Sequence, residues 1–398
     1  MKKILSILVM SIVVCVTYAK PAFKNAPNNQ GGNKIGKIET ICKQEGKYLG
    51  WPTILCRKSG ELIAVFSGDR AAHICPYGKV QAIRSFDNGK TWTTPETFIT
   101  SALDDRDAGI IELENGHLVL FWFNSIAYQH KSIISAYPEY KKSMLEESTK
   151  AQRDEFIGSY SAVSATDGKK WGFPVRTYGV APHGGIQLKN GNLIFVGKGG
   201  RGNDKLSRSE PIKVNLSTDG AKSWKVIAGI KIPEGDKITD YWEPHVVEAE
   251  NGDLIVQLRC HKDCFIRQSV SKDGGKTWTV AEKINVVGFP SHLKRLKDNR
   301  ILMTYSRRQV NPKKAKYEPE HRIMGQYARF SSDNGKTWGD EIMLCHSFTG
   351  DMGYPSSAEL PDGDIYTIFY HNVDTTPDNH KQKVTAIFAV RWTPEKKK

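Results

Sequence analysis

One short turn motif recurs along this 398-residue chain and constrains its fold more than any other feature. Three copies read Ser-x-Asp-x-Gly-x-x-Trp, over residues 85–92, 271–278 and 331–338, and two degenerate copies cover 165–171 and 217–224. We expect the Asp side chain to accept hydrogen bonds from backbone N–H groups of a tight hairpin, the Gly to take a positive φ, and the Trp to fold over the turn. Five such hairpins indicate a fold built from repeated antiparallel units.

A second repeat alternates with the first. It joins a polar turn to an apolar strand, and six copies begin near Gly60, Gly116, Gly191, Gly252, Asn299 and Gly363. Six antiparallel units at intervals of roughly 50 to 75 residues predict an all-β fold, a six-bladed β-propeller of four-stranded antiparallel blades. We expect the strands before the first copy and after the last to close the ring, so that residues 37–398 form one propeller domain.

Three segments are expected to lie outside the blades. Two lysines, an apolar run and a small-residue cleavage site occupy residues 1–19, which predicts a signal peptide and export to the periplasm or the extracellular space. The Pro-, Asn- and Gly-rich stretch 20–36 is expected to be a flexible leader. Residues 131–156, rich in Lys, Glu, Ala and Ser, predict a blade insertion that could contain a short helix.

Charge and cysteine content narrow the possible partners. Lys and Arg total 57 against 43 Asp and Glu, a formal net charge of +14, which favours an acidic ligand. Export argues against nucleic acid as a partner, and the apolar run is too short for stable membrane insertion.

Of seven cysteines, Cys260 and Cys264 are interpreted as a local disulfide or buried thiols, because no second Cys/His pair lies at the spacing of a metal site. No metal or cofactor is predicted.

Ionisable and aromatic residues recur just before each polar turn. There the equivalent strand of every blade is expected to begin near the propeller axis. These positions carry Trp51, Arg106, Asp107, His183, Trp242, Glu243, His245, His292 and Tyr354. Such residues converging in register on one axis are typical of a binding or catalytic site.

The repeated hairpins and two further segments resemble the sialidase superfamily, in which such hairpins are called Asp boxes. Residues 354–363 resemble the segment that carries a nucleophilic tyrosine, and residues 242–259 resemble the segment with its activating glutamate and an arginine. The resemblance implies Tyr354 as nucleophile, Glu243 as its base, and Arg259 with Arg322 as a clamp for the substrate carboxylate. Because a sialic acid carries a carboxylate at its anomeric carbon, a neutral tyrosine avoids the repulsion that a carboxylate nucleophile would meet.

The sequence departs from the family pattern in two places. Residues 50–52 read Gly-Trp-Pro where the family has Arg-Ile-Pro, so Arg70 or Arg106 would have to replace the first arginine of the clamp. Residues 73–78, where the family has an aspartic general acid, contain no carboxylate. The candidates for this role are His73, Asp69, Asp105 and Asp107.

Three histidines at successive axial positions are not expected in a plain sialidase. His183, His245 and His292 could recognise sugar hydroxyls or a carboxylate, hold a metal, or join a tyrosine in the acid–base chemistry of propeller-fold polysaccharide lyases. Trp51 and Trp242 are candidates for a sugar-stacking platform.

Three functions follow from this reading of the sequence. The main prediction is a secreted retaining exo-glycosidase that removes a terminal sialic acid or a related acidic sugar from a glycan. One alternative is a polysaccharide lyase or another uronate-directed glycosidase that uses His and Tyr chemistry. The other is a non-catalytic glycan-binding propeller.

Overall fold

The computed structural model describes residues 21–140, 149–199, 211–308, 323–373 and 384–397. The predicted signal peptide, 1–19, lies outside these ranges. Within them, 26 β-strands form six antiparallel sheets, which are the blades of a six-bladed propeller. The all-β fold and its six-bladed architecture are therefore confirmed.

The first strand of each blade lies at the propeller axis, and blades 1 to 4 are four-stranded meanders. The strands of blade 1 are β4 (Tyr48–Cys56), β5 (Leu62–Arg70), β6 (Lys79–Ser85) and β7 (Glu96–Ile99). Those of blade 2 are β8 (Asp104–Glu112), β9 (Leu118–Ser125), β10 (Ser159–Ser164) and β11 (Val175–Thr177). Those of blade 3 are β12 (Ile186–Gln187), β13 (Leu193–Lys198), β14 (Ile212–Ser217) and β15 (Lys225–Ile230).

Blades 4 to 6 continue the same order. Blade 4 contains β16 (Tyr241–Glu248), β17 (Leu254–Cys260), β18 (Phe265–Ser271) and β19 (Glu282–Val287). Blade 5 contains β20 (Ser291–Arg295), β21 (Ile301–Arg307), β22 (Gly325–Ser331), β23 (Ile342–Ser347) and the short edge strand β1 (Phe23–Asn25). Blade 6 contains β24 (Met352–Glu359), β25 (Ile365–Asn372), β26 (Thr385–Thr393), β3 (Asn33–Cys42) and β2 (Asn29–Gln30).

The N-terminal stretch 20–36, expected to be a flexible leader, is instead built into the sheets from residue 21 onward. β1 pairs with β23 at the edge of blade 5, and β2 forms a hairpin with β3. β3 pairs with β26, so the two ends of the described chain share blade 6 and close the ring. Gly31 and Gly32 have φ values of 57° and 89°, so the Gly-rich composition reflects a tight turn and not a flexible chain.

The five recurrent hairpins join the third and fourth strands of blades 1 to 5. In four of them the Asp carboxylate accepts from backbone N–H groups as predicted, whereas in blade 2 the Thr166 hydroxyl accepts from the Lys170 N–H instead. In the first, Asp87 Oδ1 accepts from the Thr91 N–H at 2.9 Å, and Ser85 Oγ accepts from the Gly89 N–H at 2.9 Å. Gly89 has a φ of 85°. Trp92 Nε1 donates to the Gly89 carbonyl at 3.2 Å, which holds the indole over the turn.

Glutamates at the ends of three inner strands fasten neighbouring blades together. Each accepts a 2.8 Å hydrogen bond from a backbone N–H in a turn of the preceding blade: Glu112 from Lys58, Glu248 from Lys189, and Glu359 from Lys297. Apolar side chains fill the space between the sheets, as where Ile63 and Val65 of blade 1 pack with Leu120 of blade 2. The inner strands are thereby fixed around the axis.

Within the described residues, helical structure is confined to short segments. The predicted insertion contains α1 (Lys131–Ala136) and α2 (Lys150–Phe156), while residues 141–148 lie outside the described ranges. Single 3₁₀ turns cover Ala127–Gln129 and Ile238–Asp240. No helix in the described ranges is long and apolar enough to cross a membrane.

The six cysteines within the described ranges are free thiols, and all but Cys56 are buried. For Cys260 and Cys264, sequence analysis left a local disulfide or buried thiols open, and the structure has buried thiols. Burial raises the pKa of Cys42 to about 12, so this side chain stays protonated at neutral pH.

Candidate active site

The inner strands of four blades share an unusual backbone conformation at one equivalent position. Trp51, Asp107, Glu243 and Tyr354 have φ values of 54°, 53°, 50° and 54°. Each lies where the pairing between the first two strands of its blade shifts register. Such bulges re-aim a side chain, and this conformation costs a non-Gly residue about 1–3 kcal/mol, which is typical of functional sites. All four residues line one axial cavity of about 220 Å³.

Tyr354 and Glu243 are joined directly within this cavity. The Tyr354 hydroxyl donates to Glu243 Oε1 at 2.5 Å. Arg259, on the strand next to Glu243, donates from Nη1 to both carboxylate oxygens at 2.9 and 2.8 Å, and the same nitrogen lies 3.4 Å from the Tyr354 hydroxyl. The three residues that the family resemblance singled out therefore form one contact group.

The electrostatics of this group favour a neutral tyrosine beside an ionised glutamate. Burial by itself favours the protonated acid, but the Arg259 guanidinium and its hydrogen bonds hold the pKa of Glu243 below its usual value. Burial and the negative charge of Glu243 raise the pKa of Tyr354 well above its usual value. The glutamate can therefore accept the phenolic proton if the tyrosine oxygen attacks an electrophile.

Arg308 lines the cavity but was missed by sequence reasoning. Its guanidinium carbon lies 5.3 Å from the Tyr354 ring centroid, and Nη2 donates to the Tyr370 hydroxyl at 2.8 Å. The position of Arg308 in its blade could have identified it. Arg308 directly follows β21, and Arg259 lies near the end of β17, which is likewise the second strand of its blade. Arg322, which was predicted to bind the substrate carboxylate together with Arg259, lies outside the described residues.

Arg106 supplies a third guanidinium to the cavity and is held against Trp51. Its guanidinium carbon lies 4.1 Å from the indole centroid, and its nitrogens lie 3.6 Å from Asp104 and 3.5 Å from Asp107. Trp51 is only 1% exposed, so it supports Arg106 and does not present an open face for a sugar. With three arginines against two carboxylates, the cavity has an excess of positive charge that favours an anionic ligand.

Arg70, the other candidate for the clamp, does not line this cavity. It is fully buried and donates to both oxygens of Asp104, at 2.5 and 3.0 Å. Asp69, its neighbour in the chain, binds Lys47 and Lys79 instead, each at 2.7 Å. Arg70 therefore belongs to the wall behind the site.

Of the four candidates for a general acid, His73 and Asp107 line the cavity and Asp69 and Asp105 do not. Asp105 accepts from Asn124 at 2.6 Å and lines a different cavity. His73 is an exposed residue, and its Nδ1 is 2.8 Å from the Tyr48 hydroxyl. Desolvation and the positive charge of Arg106 lower the pKa of His73 below its usual value.

The three axial histidines form a separate cluster that does not line the Tyr354 cavity. Their ring centroids are 4.6 to 5.5 Å apart, and the His183 ring lies 6.3 Å from that of Tyr354. Nδ1 of His245 accepts from the Leu293 N–H at 2.9 Å. Burial lowers the pKa of His245 to about 3. The ring is therefore neutral, and its proton must be on Nε2.

This protonation state argues against the metal site that the sequence left open. A neutral imidazole that carries its proton on Nε2 and accepts a hydrogen bond at Nδ1 has no free lone pair for a metal. The described part of the chain also contains no cluster of three or more His, Cys, Asp or Glu side chains that could hold a metal ion.

Trp242, the second candidate for a stacking platform, does line the cavity and is partly exposed. Its Nε1 donates to the Thr239 carbonyl at 2.7 Å, which fixes the ring. Lys198 Nζ lies 3.1 Å from the indole centroid. One face of the indole is therefore used by a lysine.

Similarity to known sequences covers more than half of the chain. A family model described as a BNR repeat-like domain matches residues 145–367. A curated sialidase of Bacteroides fragilis (strain YCH46) is 26% identical over 233 residues, which make up 53% of this chain and 39% of that protein. The match thus spans about two fifths of the relative's length.

Solved structures share the propeller at lower sequence identity. A protein of unknown function from Dyadobacter fermentans DSM 18053 is 22% identical, with a TM-score of 0.70 over 92% of this chain and 100% of that chain. The NanB sialidase from Streptococcus pneumoniae is 14% identical, with a TM-score of 0.60 over 89% of this chain and 70% of that chain. At these identities the likeness establishes the fold.

The burial of Arg70 predicts a structural role that can be measured. Arg70→Met leaves the Asp104 carboxylate in the wall without its bidentate partner, so we expect the free energy of unfolding to fall by about 3–5 kcal/mol. Urea denaturation followed by circular dichroism measures this loss. The double variant Arg70→Met, Asp104→Leu should recover much of it, because both charges are then absent. A single variant with unchanged stability and impaired ligand binding would place Arg70 in the binding site instead.

Proposed function

Because the chain belongs to the BNR repeat-like domain family and has the six-bladed propeller of the sialidase superfamily, we propose that it is an exported glycoside hydrolase. Its substrate is a glycan that ends in a sialic acid or a related acidic sugar, and the reaction retains the anomeric configuration. The observation that carries this proposal is the 2.5 Å hydrogen bond between the Tyr354 hydroxyl and Glu243, surrounded by arginines.

The arginines account for the preference for an acidic sugar. The Nε atoms of Arg259 and Arg308 are buried and have no hydrogen-bond partner among the described residues. A carboxylate next to the anomeric carbon would supply acceptors for such donors, and guanidinium–carboxylate pairs are strong and directional. Arg106 takes the place of the arginine that is missing at residues 50–52 and completes the clamp.

Bond formation then uses Tyr354 and Glu243. The phenolic oxygen attacks the anomeric carbon, its proton passes to Glu243, and the bond from that carbon to the leaving oxygen breaks. The product of this step is a glycosyl–tyrosine intermediate. Water then attacks the same carbon from the side that the leaving group vacated and gives its proton to the group that had protonated the leaving oxygen. The bond from the carbon to Tyr354 breaks, and the tyrosine recovers its proton from Glu243, so two inversions give net retention.

The leaving oxygen must also take up a proton, and His73 and Asp107 are the two residues in position to provide one. Arg106 contributes to the low pKa of His73 in the free protein. A bound substrate carboxylate would offset that positive charge and make the protonated imidazole easier to form. Asp107 lies 3.5 Å from Arg106 in the same cavity.

Replacing Tyr354 tests the proposed nucleophile. Tyr354→Phe removes the attacking oxygen but keeps the ring, so we expect turnover of a fluorogenic sialoside to fall by at least about 1,000-fold with the fold intact. Tyr366→Phe is the matched control, because Tyr366 is a buried tyrosine outside the cavity whose hydroxyl donates to the Gly89 carbonyl. Its activity should stay near that of the native protein.

The assay should include a panel of other acidic glycosides. Unchanged release of the sugar by Tyr354→Phe would contradict the mechanism. Binding without turnover of any glycoside by the native protein would favour the glycan-binding propeller.

The pH dependence tests the proposed base. Glu243 acts as a base only when ionised, and its pKa in the folded protein lies below the usual 4.5. On the acid side of the profile, kcat/KM should therefore begin to decline only when the pH drops below 4.5, as Glu243 takes up a proton, whereas a decline towards higher pH reports loss of the proton from the general acid. A pH profile of kcat/KM between pH 3 and 8 measures this, and an acid limb centred near pH 6 or above would contradict the assignment.

A further inference from the structure

A second cavity of about 410 Å³ lies on the propeller axis, on the side away from Tyr354. The inner strands begin at the Tyr354 cavity, and the residues at their far ends, including Glu112, Glu248 and Glu359, line the second one. His183, His245 and His292 also line it and lie between the two cavities. The proposed glycosidase chemistry makes no use of these three buried imidazoles.

The hydrogen bonds of the histidines fix what they can offer to a ligand. Nδ1 of His245 accepts from the Leu293 N–H, and Nδ1 of His292 accepts from the Ser357 N–H at 3.4 Å. Backbone N–H groups can only donate, so both neutral rings must carry their proton on Nε2 and present it as a donor. Two donors on neighbouring blades thus face a ligand that can accept hydrogen bonds.

The third histidine, His183, has a ring nitrogen without a hydrogen-bond partner among the described residues. His183 is 2% exposed, and its Nε2 is buried without a hydrogen-bond partner among the described residues. Its Nδ1 lies 3.1 Å from the Thr53 hydroxyl, which can donate to it. In that arrangement Nε2–H is a third donor, and a buried donor left without an acceptor is unfavourable by about 1–3 kcal/mol.

A positive charge accompanies these donors. Lys294 lies two residues after His292 on β20 and lines the same cavity. Within the described parts of the chain it makes no hydrogen bond or ion pair. Burial is the main cause that lowers the pKa of His245 and of His292, and the positive charge of Lys294 adds to it.

We propose that the inner end of this cavity binds a small anion, an inorganic oxyanion or a carboxylate, through the Nε2–H groups of His245 and His292 and the ammonium group of Lys294. His183 would provide a further donor. This site is distinct from the Tyr354 cavity and does not depend on the proposed hydrolase activity.

The rest of the cavity limits the size of the anion. Carboxylates line its mouth, and Glu248 and Glu359 each accept a hydrogen bond from the backbone of the preceding blade, which holds them in place. These negative charges disfavour a large polyanion, so the donors of the histidines and Lys294 suit a small anion. A bound anion would contact blades 4 and 5 at once and so stabilise the folded ring.

Binding to the folded state alone raises stability by RT ln(1 + [anion]/Kd), which gives a direct assay. The native protein is titrated with sodium phosphate, sulfate, acetate and chloride at constant ionic strength, balanced with a bulky sulfonate buffer. Thermal unfolding and isothermal calorimetry are measured for each anion. We expect at least one of them to raise the Tm in a saturable way and to give a measurable Kd, and the four arms separate oxyanion, carboxylate and halide.

Two variants and a control locate the effect. Lys294→Met removes the charge, and His245→Asn keeps an acceptor oxygen near the position of Nδ1 for the Leu293 N–H but removes the Nε2–H donor. Each should weaken binding at least tenfold. Lys276→Met is the control, because Lys276 is exposed in an outer hairpin, and it should bind like the native protein.

Three results would overturn the proposal. The first is the absence of any saturable effect of the four anions on the native protein. The second is an equal effect in the native protein and all three variants, which would indicate a general action of salt. The third is native-like binding by His245→Asn, which would remove the histidines from the site. None of these results depends on glycosidase activity.

Discussion

The hydrogen bond between Tyr354 and Glu243 joins residues 111 positions apart in the chain and requires blades 4 and 6 to be held at fixed positions around one axis. That arrangement depends on closure of the ring, which β3 provides by pairing with β26. The N-terminal strands are therefore part of the frame of the candidate site, although none of their residues lines it. The geometry of the site is a property of the whole propeller.

The candidate site concentrates backbone strain at the positions that bear its chemistry. Trp51, Asp107, Glu243 and Tyr354 come from four blades, yet each has the same left-handed conformation at a bulge. The strands on either side of each bulge are regular ladders with buried apolar residues, and they can hold the strained residue in place. Because the conformation repeats, blades of the same construction place a tyrosine, a glutamate or the tryptophan that packs on Arg106 at equivalent positions near the axis.

Much of the fold could be predicted because a propeller is encoded locally. Each Asp-box hairpin forms from contacts within a few residues, as Asp87 and Thr91 show, so repeated motifs reveal the blades. The ordered N-terminal stretch was predicted wrongly because β1 and β2 are only three and two residues long. Their partners are also distant in sequence, and such short strands leave no periodic pattern to detect.

The site could be predicted only in part, for a related reason. The repeats show which blade a residue belongs to, but they do not show how far along the propeller axis its side chain lies. His245 and Glu243 therefore looked equivalent, although they face different cavities. Arg308 was missed because the family resemblance implied Arg322 as the second arginine of the clamp, and both residues lie in the sequence between the end of β21 and the start of β22. Arg70 is a charged residue whose partner, Asp104, becomes apparent only when blades 1 and 2 pack together.

The central claim is that Tyr354 forms a covalent bond to the sugar, and trapping that intermediate tests it most directly. A glycosyl fluoride of the acidic sugar with a second fluorine beside the anomeric carbon slows both steps, while its fluoride leaving group still allows the first. Intact-mass and peptide mass spectrometry of the incubated protein should show one added glycosyl group, located on Tyr354 and absent from Tyr354→Phe. A protein that turns over sialosides but carries the adduct on another residue, or still forms it in Tyr354→Phe, would contradict the account.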